Sequence, residues 1–313
     1  MQIYNLSYPL QLSSPIPPAV LAIGYFDGIH RGHRTLIEKA QWMAKSLGVS
    51  SAVMTFHPHP REVLGKKPVT HSLTPPQEKM NQLAKMGVDL VHIMKFDTNL
   101  AMRSPEEFVE DILIPLQVKG VVVGYDFTFG RNASGTAQDL ERLAKGRFNV
   151  EVIPPIEESQ LPVSSSRIRK ALANGEVETA HQVLGRPYAI RGKVVPGDGR
   201  GKTIGFPTAN LQLLESYTVP MDGVYLVSVE LGQERYYGLM NIGYRPTFED
   251  PTPRKQLEVY LLDLNEDLYG QELKVEFLRF LRKEQKFNSL EELVNQLRQD
   301  EKTARDWIEQ FER

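Results

Sequence analysis

The chain has no cysteine among its 313 residues, which excludes disulfides, thiolate-bound zinc and a cysteine nucleophile. It also lacks a long apolar run: nothing approaches the ~20 residues that a membrane helix needs. The opening MQIYNLSYPLQL has no basic segment followed by an apolar core, so it does not read as a signal peptide. A basic excess is missing too. Formal net charge is −2 and neither half of the chain is markedly basic, so the footprint of a nucleic-acid binder is absent. No repeat or low-complexity segment occurs. What remains is a soluble protein, expected in the cytoplasm, with neither a nucleic-acid nor a membrane partner. Its length allows about two domains.

The stretch Ala19–Leu36, AVLAIGYFDGIHRGHRTL, organises what is present. An apolar run breaks at Asp27-Gly28, and His30-Arg31-Gly32-His33 leads into an amphipathic run. That pattern is a strand, a tight turn and a helix start. The first turn of a helix has unpaired N–H groups and a positive dipole end, which suit phosphate. Imidazoles three residues apart, His30 and His33, are expected on one helical face. Gly28 and Gly32 allow close approach of a bulky anion to the backbone.

The first half alternates short β-rich runs (Val20–Tyr25, Ala52–Phe56, Val88–Met94, Gly120–Val123, Val150–Ile153) with helical patterns at Leu36–Leu47, Pro76–Met86, Pro105–Ile114 and Gln138–Lys145. Such alternation implies a parallel, doubly wound sheet with ligands beyond the strand C-termini. Three clusters fall there. Phe56-His57-Pro58-His59-Pro60 presents imidazoles on a proline-stiffened loop, where the prolines stop a helix. Asp126 lies among Tyr125, Phe127 and Phe129, aromatics able to line a planar-ligand pocket or simply a core. Ser164, Ser165 and Ser166, with Arg169 one turn on, open a helix and suit a polyphosphate or a plain N-cap.

Ala171–Leu184 reads as one helix ended by Gly185-Arg186-Pro187, which sets a domain boundary at 185/186. Beyond it the pattern changes to period-2 strands at Ala189–Val195, Val224–Glu230, Tyr236–Asn241, Leu257–Asp263 and Leu273–Phe280, as in an antiparallel sheet or small barrel. Helical periodicity returns from Ser289. The glycine-rich stretch Gly197, Gly199, Gly201, Lys202 and Thr203 is not a Walker loop, since Pro196 stands where its first glycine belongs and Pro207 breaks the helix that should follow. It can still wrap phosphate, or serve as a barrel loop. Thr208 and Asn210 are two apart, so in an extended segment both oxygens face one side and could complete a Mg²⁺ shell.

These residues resemble those of the bacterial bifunctional FAD synthetases over nearly the whole chain. The shared motifs are GxFDGxHxGH from Gly24, FHPHP from Phe56, GxDFxFG from Gly124, SSSxIR from Ser164, GDGRGxTIGFPTANL from Gly197, GVY from Gly223, NIGxRPTF from Asn241, and LEVYLLD followed by DLYG. Departures are small: Tyr260 stands where members often have His, and Ser166 where they often have Thr. The resemblance implies a Rossmann-like nucleotidyltransferase domain (1–185) followed by a six-stranded antiparallel riboflavin kinase barrel with a C-terminal helix (186–313). It implies riboflavin, FMN and FAD as substrates and products, and ATP with Mg²⁺. In the kinase, Glu258 would deprotonate the ribityl 5′-hydroxyl, Thr208 and Asn210 would hold Mg²⁺, and the glycine-rich stretch would bind ATP. In the adenylyltransferase, His30, His33, the three serines and Arg169 would hold the triphosphate together with Gly24, Phe26, Asp27, Gly32 and His57. Asp126, Phe127 and Phe129 would form the flavin pocket. FMN phosphate is already ionised, so that reaction needs no general base.

Overall fold

All five residues of Ala19–Ile23 are buried, as a strand covered on both faces requires. The computed structural model describes residues 1–12, 14–65, 71–197, 201, 204–244, 255–264 and 266–311. They form two units, Met1–Ser165 and Ser166–Arg313. The sheet of the first unit contains β1 (Gln2–Leu6), β2 (Ala19–Ile23), β3 (Ser50–His57), β4 (Leu90–Lys95), β5 (Val118–Gly124) and, after a hairpin of β6 (Thr128–Phe129) and β7 (Gly135–Thr136), β8 (Asn149–Ile153). A second short hairpin, β9 (Glu157–Glu158) and β10 (Leu161–Pro162), follows. Neighbours in the sheet are all parallel, in the order β1-β4-β3-β2-β5-β8.

From β2 the chain steps outward through β3 to β4, then returns to the other side of β2 with β5. The switch point therefore lies between the C-terminal ends of β2 and β5, where a doubly wound sheet opens its ligand crevice. The connecting helices are α1 (Arg31–Leu47), α2 (Pro60–Val63), α3 (Pro76–Lys85), α4 (Thr98–Ala101), α5 (Pro105–Phe108, continued by a π-helical turn over Val109–Leu113) and α6 (Ala137–Ala144). Strand periodicity divides the core. Val20, Ala22 and Val53 pack with Ile37 and Ala40 of α1, whereas Leu21, Ile23 and Met54 pack with Ile112 and Leu140 on the opposite face.

Several features differ from the sequence expectation, among them the strand Thr208–Leu213, which periodicity did not mark. The polar segment Gln2–Leu6 is an edge strand, with only Leu6 fully buried. The single helix expected over Ala171–Leu184 is two, α7 (Ser165–Ala173) and α8 (Val177–Leu184). Gly175 separates them at φ +79°, a left-handed conformation that ends a helix and that glycine adopts without strain.

In the second unit, β11 (Tyr188–Val195), β12 (Thr208–Leu213), β13 (Gly223–Leu231), β14 (Glu234–Tyr244), β15 (Lys255–Leu261) and β16 (Glu272–Arg282) close a barrel in the order β11-β12-β15-β14-β13-β16. Every pairing is antiparallel. Ile190, Val227, Met240, Val259 and Phe277 are buried on the inward face of their strands. The C-terminal helix Leu290–Phe311 covers part of the outer face, where Ala304, Trp307 and Ile308 meet Leu226, Leu239 and Tyr260. Arg282 ties it down through a two-pronged bond to Asp300, at 2.8 and 2.9 Å.

Candidate active sites

At the end of β2 the backbone makes a turn that few sequences tolerate. Phe26, Gly28 and Ile29 have φ of +57°, +94° and +41°. Glycine adopts this freely, but the two side-chain-bearing residues do so at a cost. The turn delivers His30 to the head of α1, where it is the N-cap and not a residue of the helical face. Its Nδ1 accepts the His33 N–H at 3.3 Å, and the two rings stack with centroids 3.6 Å apart. As an acceptor at Nδ1, neutral His30 has its proton on Nε2. Phe26 is fully buried and meets the His33 ring edge-on at 5.1 Å. Gly24 and Gly32 make room for rings: a Cβ at Gly24 would press on Phe26 at 3.2 Å, and one at Gly32 would touch the His30 ring at 3.4 Å.

Asp27 is buried, with Oδ1 accepting the Thr74 N–H at 3.0 Å and its backbone carbonyl accepting the Ser165 hydroxyl at 2.7 Å. Ser165 therefore joins the expected serine cluster to the turn. Ser164 precedes α7, and Ser166 and Arg169 lie within it. Arg169 belongs to the second unit, where its Nη1 donates to Thr218 Oγ1 at 2.8 Å. His57 is exposed at the end of β3. Pro60 does not stop a helix as expected: it occupies the first position of α2, which His59 caps by accepting the Arg61 N–H at 3.0 Å.

Lys79 was not expected in this site. Its chain is buried in α3 at a position one turn before the buried Leu83, and its Nζ donates to the Tyr25 carbonyl at 2.7 Å. Burial pulls its pKa down to about 8, opposed by the Asp27 carboxylate. The only sequence signal was a lysine on the apolar stripe of an amphipathic helix.

A pocket of about 520 Å³ is lined by Phe56, Phe96, Phe108, Phe127 and Phe129 with Gly130. Phe127 and Phe129 stack at 5.6 Å. Asp126 is exposed and is not among the lining residues.

In the barrel, register assembles the site. Across β12, β15 and β14, Asn210 pairs with Glu258 and Glu258 with Asn241, while Thr208 pairs with Tyr260. Directly paired residues share a face, so Thr208, Asn210, Glu258 and Asn241 project together on the outer face of the barrel. The Asn210 Oδ1 accepts from Gln256 Nε2 at 2.9 Å. A Cβ on Gly197 would fall on the Asn210 amide, and one on Gly201 on the Phe206 carbonyl. Of the other glycine-rich residues, Gly199, Lys202 and Thr203 lie outside the described residues. Glu276, the nearest carboxylate of similar type, is buried and accepts from Lys274 at 2.6 Å and from Arg235. Its oxygens are already occupied by cations. Among the described residues no three His, Cys, Asp or Glu side chains converge on a metal position.

The FAD synthetase family model matches residues 13–167, and the riboflavin kinase model residues 184–308. A bifunctional riboflavin kinase/FMN adenylyltransferase from Bacillus subtilis is 43% identical over 288 residues, covering 91% of each chain. The protein of that name from Escherichia coli K12 is 40% identical over 309 residues, covering 98% of this chain and 96% of its own. A crystal structure from Streptococcus pneumoniae, described as a macrolide-efflux protein, has a TM-score of 0.90 at 34% identity and covers 98% of this chain and 100% of its own. Among the described residues no helix is long and apolar enough to cross a membrane.

Proposed function

The chain belongs to the bifunctional riboflavin kinase/FMN adenylyltransferases, and from that premise we propose which residues perform each reaction. The enzyme phosphorylates riboflavin to FMN with ATP, and transfers AMP from a second ATP to FMN, releasing pyrophosphate and FAD. We take the functional boundary at 185/186, where Gly185 ends α8 at φ +77° and β11 follows. Ser166 and Arg169, which the resemblance assigns to the adenylyltransferase, fall within the second unit.

For the kinase, the observation that carries the reading is the row Asn210–Glu258–Asn241 on one face of three strands. Glu258 takes the proton of the ribityl 5′-hydroxyl as that oxygen attacks the γ-phosphorus of ATP. The ion pairs at Glu276 leave it a structural role. Thr208 and Asn210 offer hard, neutral oxygens beside that carboxylate, a set suited to Mg²⁺ whose remaining ligands are phosphate and water. When bound there, Mg²⁺ would offset phosphate charge. Gly197 and Gly201 keep backbone close to Asn210 and Phe206 and line the approach for ATP.

For the adenylyltransferase, the stacked His30–His33 pair stands at the head of α1, the helix that follows β2 at the switch point of the sheet. There the imidazoles, α1 N–H groups, Ser164 and Ser165 hold the triphosphate and stabilise charge as pyrophosphate leaves. The FMN phosphate is its own nucleophile. The aromatic pocket at Phe127 and Phe129 takes the isoalloxazine ring, with Asp126 at its exterior. The reactions use small molecules alone, in the cytoplasm, as the absence of cysteine accords with. Incubation with riboflavin and Mg-ATP, followed by chromatography, tests the reading: FMN then FAD should appear, and Glu258→Gln should stop the first product while FAD still forms from added FMN.

A further inference from the structure

Lys79 is a buried charge that the chemistry above leaves unused, and it is 6% exposed. Its Nζ sits 2.7 Å from the Tyr25 carbonyl, 3.4 Å from Thr55 Oγ1 and 4.3 Å from the centre of the Tyr25 ring. Thr55 Oγ1 donates to the same carbonyl at 3.1 Å. β2 ends at Ile23, so this carbonyl lies beyond the strand, at the residue just before the left-handed turn that begins at Phe26. Downstream, Asp27 is bonded to Thr74 and Ser165. The turn is thus held at both ends by buried polar groups.

We propose that Lys79 is a positioning residue for adenylyl transfer: its ammonium clamps the Tyr25 carbonyl and so keeps the Phe26–Ile29 turn in the shape that presents His30 and the α1 N-terminus to the triphosphate. This rests on reading that turn as the phosphate site. Two observations carry it. Phe26 and Ile29 occupy φ of +57° and +41°, which cost energy unless the surroundings over-determine them. The clamp is also a poor choice for stability alone, because burying an ammonium is unfavourable and an apolar chain of similar volume is often neutral or stabilising. The depressed pKa of Lys79, about 8, expresses that cost.

The discriminating variant is Lys79→Met in the full-length protein. Expected are a fall of roughly 10–100-fold in kcat for FMN adenylylation, the scale of effect produced by a small misplacement of reacting groups, and an unchanged KM for FMN. Riboflavin phosphorylation in the same preparation should stay within about twofold, since the clamp sits in the other unit, and the thermal midpoint should be equal or higher. Wild-type kcat would overturn the proposal, as would a loss of kcat that only tracks a falling midpoint. Thr55→Val, which retains the ammonium and removes the bridging hydroxyl, decides the matter if Lys79→Met does not fold. It should lower adenylylation kcat by several-fold, and an unchanged kcat overturns the proposal. His33→Ala is measured alongside. If His33→Ala keeps full adenylylation, the reading of the turn as the phosphate site fails. If His33→Ala loses it while Lys79→Met keeps it, the clamp alone fails.

Discussion

The two candidate sites are positioned by different means. In the first unit, the candidate groups ride on a turn whose backbone is held out of its preferred regions, with Phe26 at φ +57° and Ile29 at +41°. In the second, Asn210, Glu258 and Asn241 stand on three adjacent strands, where the hydrogen-bond ladder itself aligns them. A ladder-built site needs no strained residue and tolerates change in its loops. A turn-built site needs buried props such as Lys79 and Asp27, and it fails when they fail.

The largest expected effect separates the units outright. Glu258→Gln retains the shape of the row and removes its base, so riboflavin phosphorylation should fall by ~10²–10⁴ in kcat. Riboflavin binding and adenylylation of added FMN should persist. Steady-state assays of each half-reaction check this; near-normal phosphorylation, together with its loss in Glu276→Gln, would move the base to Glu276. Next, His33→Ala should depress FAD formation from FMN by ~10²–10³ and spare the kinase. Equal losses in both reactions would mean general destabilisation.

A backbone test sharpens the contrast. Gly28 has φ +94°, so Gly28→Ala should cost about 1–3 kcal/mol of local strain. Adenylylation should drop by roughly tenfold or more, with phosphorylation unaltered, and an unaffected adenylylation rate would show that the turn has slack. The smallest effect concerns acid. His92 in β4 is fully buried against Tyr4, and neither ring nitrogen has a hydrogen-bond partner among the described residues. Desolvation lowers its pKa from 6.5 to about 4. The unfolded chain therefore binds this proton at a higher pH than the folded one. Stability is fully present above about 6.5 and declines as the pH falls towards about 4, by on the order of 3 kcal/mol. Urea melts of the wild type and His92→Leu across that window should show a shallower decline in the variant, confined to the first unit.

Much of this was legible before any coordinates. Periodicity located most of the strands and longer helices of both halves, because a strand buried on two faces and a strand buried on one leave different patterns. It did not mark the strand Thr208–Leu213. The His30-to-His33 motif and the Thr208–Asn210 spacing pointed to the candidate sites, and the resemblance to the FAD synthetases supplied the substrates. Gln2–Leu6 escaped notice because an edge strand does not need an apolar run. The break at Gly175 escaped because a single glycine is also tolerated inside a helix.

The amino-acid order alone determined two folding patterns, the chemical groups available and the family, since each depends on local periodicity or on motifs contiguous in the chain. Tertiary structure decided that His30 caps α1 instead of lying on its face, that Glu276 is consumed by Lys274 and Arg235 while Glu258 lines up with Asn210 and Asn241, and that Lys79 is turned inward onto Tyr25. The reason is the same in each case. Pairing between strands and the fate of a buried charge depend on residues tens of positions away, and a lysine or glutamate has no local signature of the partner it will meet.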